Sequence, residues 1–357
     1  MIFERALLRE FASLAAAVFL MLFAISVTTR LIRLLGQAAG GKIPSDAVIA
    51  FLGFFALYAL PVLLSLTLFI AVLMTLGRWY RDSEMVIWFN AGQSLGAWLR
   101  PVLKFALPLV ALIAVLSLAI SPWAAEMSEK YRSRIDARDD VARVSPGVFG
   151  ESSSKDRVFF VESLSPGETD VRNVFISSVQ LGRSGVMISR TGRTELAANG
   201  DRFLVLENGR RYEGNPGEAD YHVMEFERYA TRIESSEGSE PEATPRNRST
   251  LSLIQGWTDA YQGEMVWRIG VPVSALLLAL LAIPLSFVNP RAGRSLSLIF
   301  ALLIYVVYSN LLTLSQARVA QSRLEFGIGL WLVHGVMLAV LVFLFARRAN
   351  PFLFRWR

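Results

Sequence analysis

The sequence predicts an α-helical membrane protein. Six transmembrane helices fall in two groups of three, and an all-β domain resembling a jelly roll is inserted between the groups. Three observations predict this. Six long apolar runs carry no charge. The composition is 53% hydrophobic and only 18% charged, with a mean hydropathy of +0.43, whereas a soluble domain carries about 25% charged residues. Between the third and fourth runs lies a polar segment of short alternating strands. An ordinary soluble globule, a disordered chain and a collagen-like chain are excluded.

The six runs are Ala12–Thr29, Ala47–Gly77, Phe105–Ala125, Ile269–Pro290, Ser295–Ala317 and Phe326–Ala346. Each approaches or exceeds the roughly 20 residues that cross about 30 Å of hydrocarbon. The second is long enough to tilt, and Pro61 near its middle predicts a kink. The first is longer than the apolar core of a cleaved signal peptide. Orientation follows from Lys and Arg in the short loops. An inside N-terminus puts twelve of them inside, against five outside: Arg30, Arg33, Lys42, Arg318 and Arg323. Both termini are therefore expected inside, and the inserted domain outside.

The inserted domain is expected over residues 126–268, between helical parts at 1–125 and 269–357. Alternation marks strands over Arg157–Leu164, Val171–Gln180, Gly185–Leu196, Arg202–Glu207 and Tyr221–Ile233. Asn208-Gly209 between two such runs is a type I′ hairpin signal. Several short strands at even spacing suggest a sandwich or jelly roll. Phe159, Val161, Phe175, Ile188, Phe203, Val205, Val223 and Phe226 are the expected core. Residues 235–249 read as a linker, and Trp257–Arg268 as a short helix leading into the fourth span.

Several chemistries are closed off. The chain has no Cys and only two His, His222 and His334, far apart in sequence, so neither a thiolate nor a His-based metal site is expected. Gly36 to Lys42 imitates the start of a phosphate-binding loop, but Ile43 stands where a magnesium-binding Ser or Thr is required. Asn247-Arg248-Ser249 is a glycosylation sequon of a kind common by chance. The runs contain no Asp or Glu, which disfavours an ion-coupled carrier. His334 reads as a hydrogen-bonded packing residue.

Specific motifs accompany this layout. Ser121-Pro122-Trp123-Ala124 closes the third run, and Val144-Ser145-Pro146-Gly147-Val148-Phe149 follows. Leu281-Ala282-Ile283-Pro284-Leu285-Ser286 precedes Asn289-Pro290-Arg291-Ala292-Gly293-Arg294-Ser295. Ile304-Tyr305-Val306-Val307-Tyr308 and Gly329-Leu330-Trp331-Leu332-Val333-His334 mark the last two runs. Together these resemble the lipopolysaccharide-export permeases, the LptF/LptG (YjgP/YjgQ) family, across essentially the whole chain. The last two motifs look more like the LptF branch.

The resemblance implies a permease subunit of an ABC transporter in the bacterial inner membrane. Its β domain would lie in the periplasm, and the subunit would have no catalytic site, metal or cofactor of its own. Partners would be an LptG-type paralogue, an LptB-type ATPase dimer that uses ATP and magnesium, an LptC-type periplasmic bridge and lipopolysaccharide itself. No nucleic acid is implied.

Site residues follow on the same footing. A coupling helix is expected near residues 82–100, capped by Asp82 or Ser83 and carrying Glu84, Met85, Trp88 and Phe89. Residues alone fit an interfacial helix on lipid headgroups equally well; the resemblance gives Glu84 to an Arg of the ATPase. Arg30 and Arg33, three apart on one helical face, suit lipid A phosphates, or else snorkel as anchors; Lys42, Arg318 and Arg323 are weaker candidates. Phe19, Phe23, Leu302, Tyr305 and Leu312 would line a lateral gate or face bulk lipid. A non-transporting anchor that relays ATPase motion outward is the competing function.

The net charge of +6 divides unevenly. Residues 126–268 hold 19 basic and 24 acidic side chains, a net of −5, and the remainder carries +11. The inner excess orients the chain. The few outer cations on span ends are those left in need of an anionic ligand.

Overall fold

The computed structural model describes residues 2–40, 43–136, 147, 149–151, 157–164, 170–180, 183–196, 202–214, 222–232, 244–287 and 294–349. The chain divides into a helical unit, Met1–Glu129 with Ala243–Arg357, and a β unit, Lys130–Glu242. Residues 243–268, expected in the inserted domain, thus belong with the helices. Most of the expected linker, 235–243, lies outside the described residues.

The helical unit contains α1 (Ile2–Ala39), α2 (Ala47–Arg81), the short α3 (Glu84–Asn90) and α4 (Leu99–Val115). A π-helical turn at Leu116–Ile120 leads into α5 (Ser121–Asp136). After the β unit come α6 (Thr250–Gly256), α7 (Asp259–Leu285), α8 (Arg294–Ala320) and α9 (Phe326–Ala349). Among the described residues, five helical stretches are long and apolar enough to cross a membrane: Glu4–Ala39, Ala47–Arg81, Leu95–Ile135, Asp259–Leu285 and Phe326–Arg348. The expected count was six. Helix α8 is the remaining long helix, with 27 residues, and the side chains of its first turn lie outside the described residues. α2 stays helical through Pro61.

α7 is the central helix. Two thirds of its most apolar stretch (67%) is buried, against 11–28% in the other four. Its glycines let α8 approach closely, as small residues do between membrane helices. A Cβ on Gly263 would stand 2.6 Å from the Ala320 Cβ, and one on Gly270 would stand 2.5 Å from Leu312 Cδ1. The last two sequence motifs meet at the α8–α9 contact. Tyr308 Oη and His334 Nδ1 are 2.6 Å apart in a buried hydrogen bond, and Ser315 Oγ donates to the Gly329 carbonyl at 2.5 Å. His334 is a packing residue, as expected.

α7 begins ten residues before the charge-free run suggests. Trp257 takes a left-handed conformation (φ 34°) that ends α6, and α7 starts at Asp259 without a separate lead-in helix. Glu264 and Arg268 therefore lie within the long apolar helix α7, just ahead of the charge-free run that starts at Ile269. They form a buried i,i+4 ion pair at 3.0 Å. A charge-free window cannot detect such a pair, because the partner neutralises the acid where it sits.

The β unit is one six-stranded sheet in the order β1 (Phe149–Glu151), β2 (Arg157–Leu164), β3 (Asp170–Gln180), β4 (Arg183–Leu196), β5 (Arg202–Gly214) and β6 (His222–Arg232), every neighbour antiparallel. The described strands form a meander rather than a two-sheet sandwich or jelly roll. β5 runs straight through Asn208-Gly209, so the expected hairpin is absent. Instead Asn208 (φ 54°) and Asn173 on β3 (φ 49°) adopt left-handed conformations within their strands, which Asn tolerates.

These two residues lie on one line across the sheet. The paired register skips Asn173 between β3 and β4, and Asn208 between β5 and both its neighbours. Alternation slips by one along this crease, from Val171 to Val174 on β3 and from Leu206 to Gly209 on β5. Ser189 Oγ stabilises it by bonding to the Thr191 and Glu207 carbonyls at 2.8 and 2.7 Å.

The slip corrects the expected core. Phe159, Val161, Val171, Val174, Ile176, Met187, Leu204 and Leu206 form the buried cluster, with Phe226 packed against it. Ile188 and Val223 are 49% and 61% exposed. Phe175 and Phe203 are half-buried outside the cluster, while Val205 is buried beyond it. Period-2 reasoning fails wherever one residue leaves the β region. On β4, Glu195 is held below the usual carboxylate range, first by a hydrogen bond from Arg193 and then by Arg228.

Candidate functional site

Two parts of the helical unit place charged side chains where a partner or ligand can reach them. The first is the loop joining α2 to α4. A network at the adjoining helix ends braces it. Glu10 on α1 accepts from Arg78 and from Trp79 Nε1, each at 2.9 Å. Trp79 meets Trp98 edge to face at 5.5 Å, and Lys104 pairs with Glu4 at 3.0 Å.

α3 sits on this brace, and its capping differs from expectation. Asp82 is the C-cap of α2. Ser83 occupies the N-cap position of α3 with φ 61° and makes no side-chain cap bond, because a capping hydroxyl reaches the first amides from extended backbone. A left-handed Ser83 supplies a sharp turn instead. At the other end Gly92 (φ 81°) closes a Schellman motif: its N–H bonds the Phe89 carbonyl at 3.0 Å and Gln93 N–H bonds Trp88 at 3.1 Å.

Of the apolar residues expected on the docking face of α3, Phe89 is exposed, whereas Met85 and Trp88 are turned into the core. Met85 is 1% exposed within the helical core and Trp88 packs against that core; both hold the helix from beneath. Val86, Ile87 and Phe89 are exposed, Ile87 by 67%. Glu84 is half-buried and makes no ion pair among the described residues. The presented surface is thus an acid beside three apolar side chains that sequence reasoning had not grouped. Phe89 also lines an apolar groove of about 770 Å³ with Leu95, Phe287, Phe345 and Arg348.

The second part is a cavity of about 260 Å³ walled by α1, the start of α2, α5 and residues 244–247. Arg30 reaches it half-buried, with its guanidinium 5.3 Å from the Phe55 ring centre. Its Nε is buried without a hydrogen-bond partner among the described residues. Phe51, Phe54 and Tyr58 wall the cavity, and Glu129 and Arg246 bring one charge each. Arg33, on the next turn of α1, is exposed and does not line the cavity. Lys42 lies outside the described residues. Arg318 and Arg323 are exposed near the α8–α9 turn, where Arg323 N–H bonds the Arg318 carbonyl at 2.9 Å. Of the four predicted cations among the described residues, Arg30 alone lines the cavity.

Arg246 was missed because it lies inside the stretch read as a polar linker, 235–249, and has no motif of its own. Beneath it, Arg268 is fully buried and donates to Thr250 Oγ1 at 2.8 Å and to the carbonyls of Pro245, Arg246 and Arg248 at 3.1, 3.3 and 2.9 Å. Asn247 is buried in the same turn, which removes the sequon as a modification site.

The expected gate residues separate. Phe19 and Phe23 stack on α1 with ring centres 5.5 Å apart and are half-exposed. Leu302 is 47% exposed. Tyr305 Oη donates to the Val62 carbonyl at 3.3 Å. Leu312 is buried against the flank left open by Gly270, so it packs the bundle rather than lining a gate.

Comparisons with known proteins agree with this architecture. The family model described as "Lipopolysaccharide export system permease LptF/LptG" matches residues 5–347. The chain is 27% identical over 351 residues, 96% of its length and 94% of theirs, to proteins named lipopolysaccharide export system permease protein LptF from Escherichia coli (strain K12) and Shigella flexneri. A match over nearly the whole length covers the spans, the inserted sheet and both surfaces above, and the chain belongs to the LptF/LptG family of lipopolysaccharide export system permeases.

Proposed function

We propose that this chain is the LptF-type half of an ABC transporter that extracts lipopolysaccharide from the bacterial inner membrane. α8 is the sixth span, both termini are cytoplasmic, and the β unit is periplasmic. The inner surface of α3 docks an LptB-type ATPase, which binds ATP and magnesium, while this chain carries no catalytic residue. An LptG-type paralogue completes the permease. The meander hands lipid to an LptC-type bridge; its last strand, β6, exposes Val223 and Met224, a surface suited to strand addition.

The observation that carries this reading is the half-buried Arg30, its Nε unpartnered among the described residues, in an aromatic-walled cavity. A guanidinium left short of acceptors is matched to phosphate. A relay without a lipid ligand has no use for it. A photo-crosslinker at Phe54, in the assembled complex in bilayers, is expected to capture lipopolysaccharide. Labelling of bulk phospholipid alone, with added lipopolysaccharide making no difference, favours the relay.

A further inference from the structure

We propose that Arg246 is a ligand-binding residue, the second cation of a phosphate site it forms with Arg30. This rests on the reading of Arg30 as lipid-facing and adds a partner from a different part of the chain. Two guanidinium groups and one carboxylate, Glu129, line the same small cavity. Like charges held around one space repel, and an anion between them reverses the sign of that interaction. Neither Arg30 nor Arg246 makes an ion pair among the described residues. Glu129 offsets one of the two cations, so the lining keeps one net positive charge, and a phosphate monoester, which guanidinium forks bind bidentately, is the anion assigned to it. The neighbouring Phe51, Phe54 and Phe55 suit the apolar body of a phosphorylated lipid.

Arg246 does not owe its place to regular structure. It sits in a single 3₁₀ turn, Pro245–Asn247, at the chain's return to the helices. Arg268 holds that turn through bonds to the carbonyls of Pro245 and of Arg246 itself, and to that of Arg248 just after it. Glu264 neutralises Arg268 at 3.0 Å. The network then reaches the π-helical turn between α4 and α5. Ser117 Oγ donates to the Arg268 carbonyl at 2.9 Å, and Thr250 Oγ1 bonds the Leu118 carbonyl. A buried guanidinium is tolerated only when its donors are satisfied. Here most of that satisfaction goes to fixing one exposed turn. Arg268 is a positioning residue, and what it positions is Arg246.

The test uses the complex assembled with its partner subunits in mild detergent. Three lipids are offered separately: bis-phosphorylated lipid A, dephosphorylated lipid A and cardiolipin, and retained lipid is quantified by mass spectrometry. The wild type is expected to prefer the phosphorylated over the dephosphorylated form. Arg246→Ala should lower that preference about tenfold, the worth of one charged hydrogen-bonded contact, and Arg246→Lys should lower it less. Arg246 is exposed, so assembly should persist. Arg268→Lys keeps the charge beside Glu264 but not the fork, and should reproduce the loss in a complex that still assembles. A preference unchanged in Arg246→Ala overturns the proposal while leaving Arg30 as a lone contact. A wild type indifferent to phosphorylation overturns the lipid-phosphate reading of Arg30 as well. Cardiolipin held as tightly as lipid A, and lost equally in Arg246→Ala, supports the phosphate site but overturns lipopolysaccharide as its ligand.

Discussion

Ile87→Asp combined with Phe89→Asp is expected to abolish co-purification of the ATPase while leaving the permease folded. Ile87 is 67% exposed and Phe89, at the edge of the apolar groove, 37% exposed, and neither belongs to the buried helical core, so their replacement leaves that core intact. Burying an aliphatic or aromatic side chain at a docked surface is worth about 1.5–3 kcal/mol. Losing two, and burying two carboxylates instead, removes at least about 100-fold in affinity. A seven-residue helix is too short to hold itself, so the rigidity of this surface comes from Met85, the Ser83 turn and the Gly92 cap. Met85→Ala should consequently lower the thermal stability of the permease as well as docking. Glu84→Ala should weaken docking by about tenfold or less, and more at low salt than at high, because its contribution is that of a single partly exposed charge. Normal co-purification and turnover in the double aspartate variant would show that α3 lies on lipid headgroups instead.

Arg30→Glu with Arg33→Glu is expected to bring lipopolysaccharide-stimulated ATP hydrolysis to its unstimulated level and to remove the Phe54 crosslink to lipopolysaccharide. The two positions contribute unequally. Arg30 is in the cavity over Phe55, whereas Arg33 is exposed on the next turn. Arg30→Glu alone should carry most of the effect, by replacing a phosphate-binding fork with a repelling carboxylate. Arg33→Glu alone should act mainly on the rate of lipid entry and fade as salt is raised. Retained crosslinking in the double variant would leave the cations as interfacial anchors.

Much of the fold was legible because bilayers impose one simple rule: backbone must be helical and side chains apolar over a known length. That rule located the helices and their order. It failed at Glu264 and Arg268, where two charges cancel inside a helix and end a charge-free window too early. Strand positions were legible from alternation. The face of each strand was not, since Asn173 and Asn208 reset the alternation without any change in composition, and Asn208-Gly209 carries the same dipeptide as a hairpin. In the candidate site, Arg30 was visible as a cation on a side where cations are few. Arg246 was not, because its placement depends on Arg268, a residue 22 positions along the chain. On α3, Met85, Ile87 and Phe89 are all apolar, and only packing against Trp79 and Trp98 decides which is hidden.

In the proposed function this chain couples an ATPase inside to lipopolysaccharide outside. The most direct measurement is affinity purification of the full chain from its native membrane in mild detergent, with proteins and lipids identified by mass spectrometry. The predicted result is an ATPase, a paralogous permease and bound lipopolysaccharide in fixed proportion. Recovery of the ATPase and paralogue with phospholipid alone, under conditions that retain lipopolysaccharide on other membrane proteins, would contradict it.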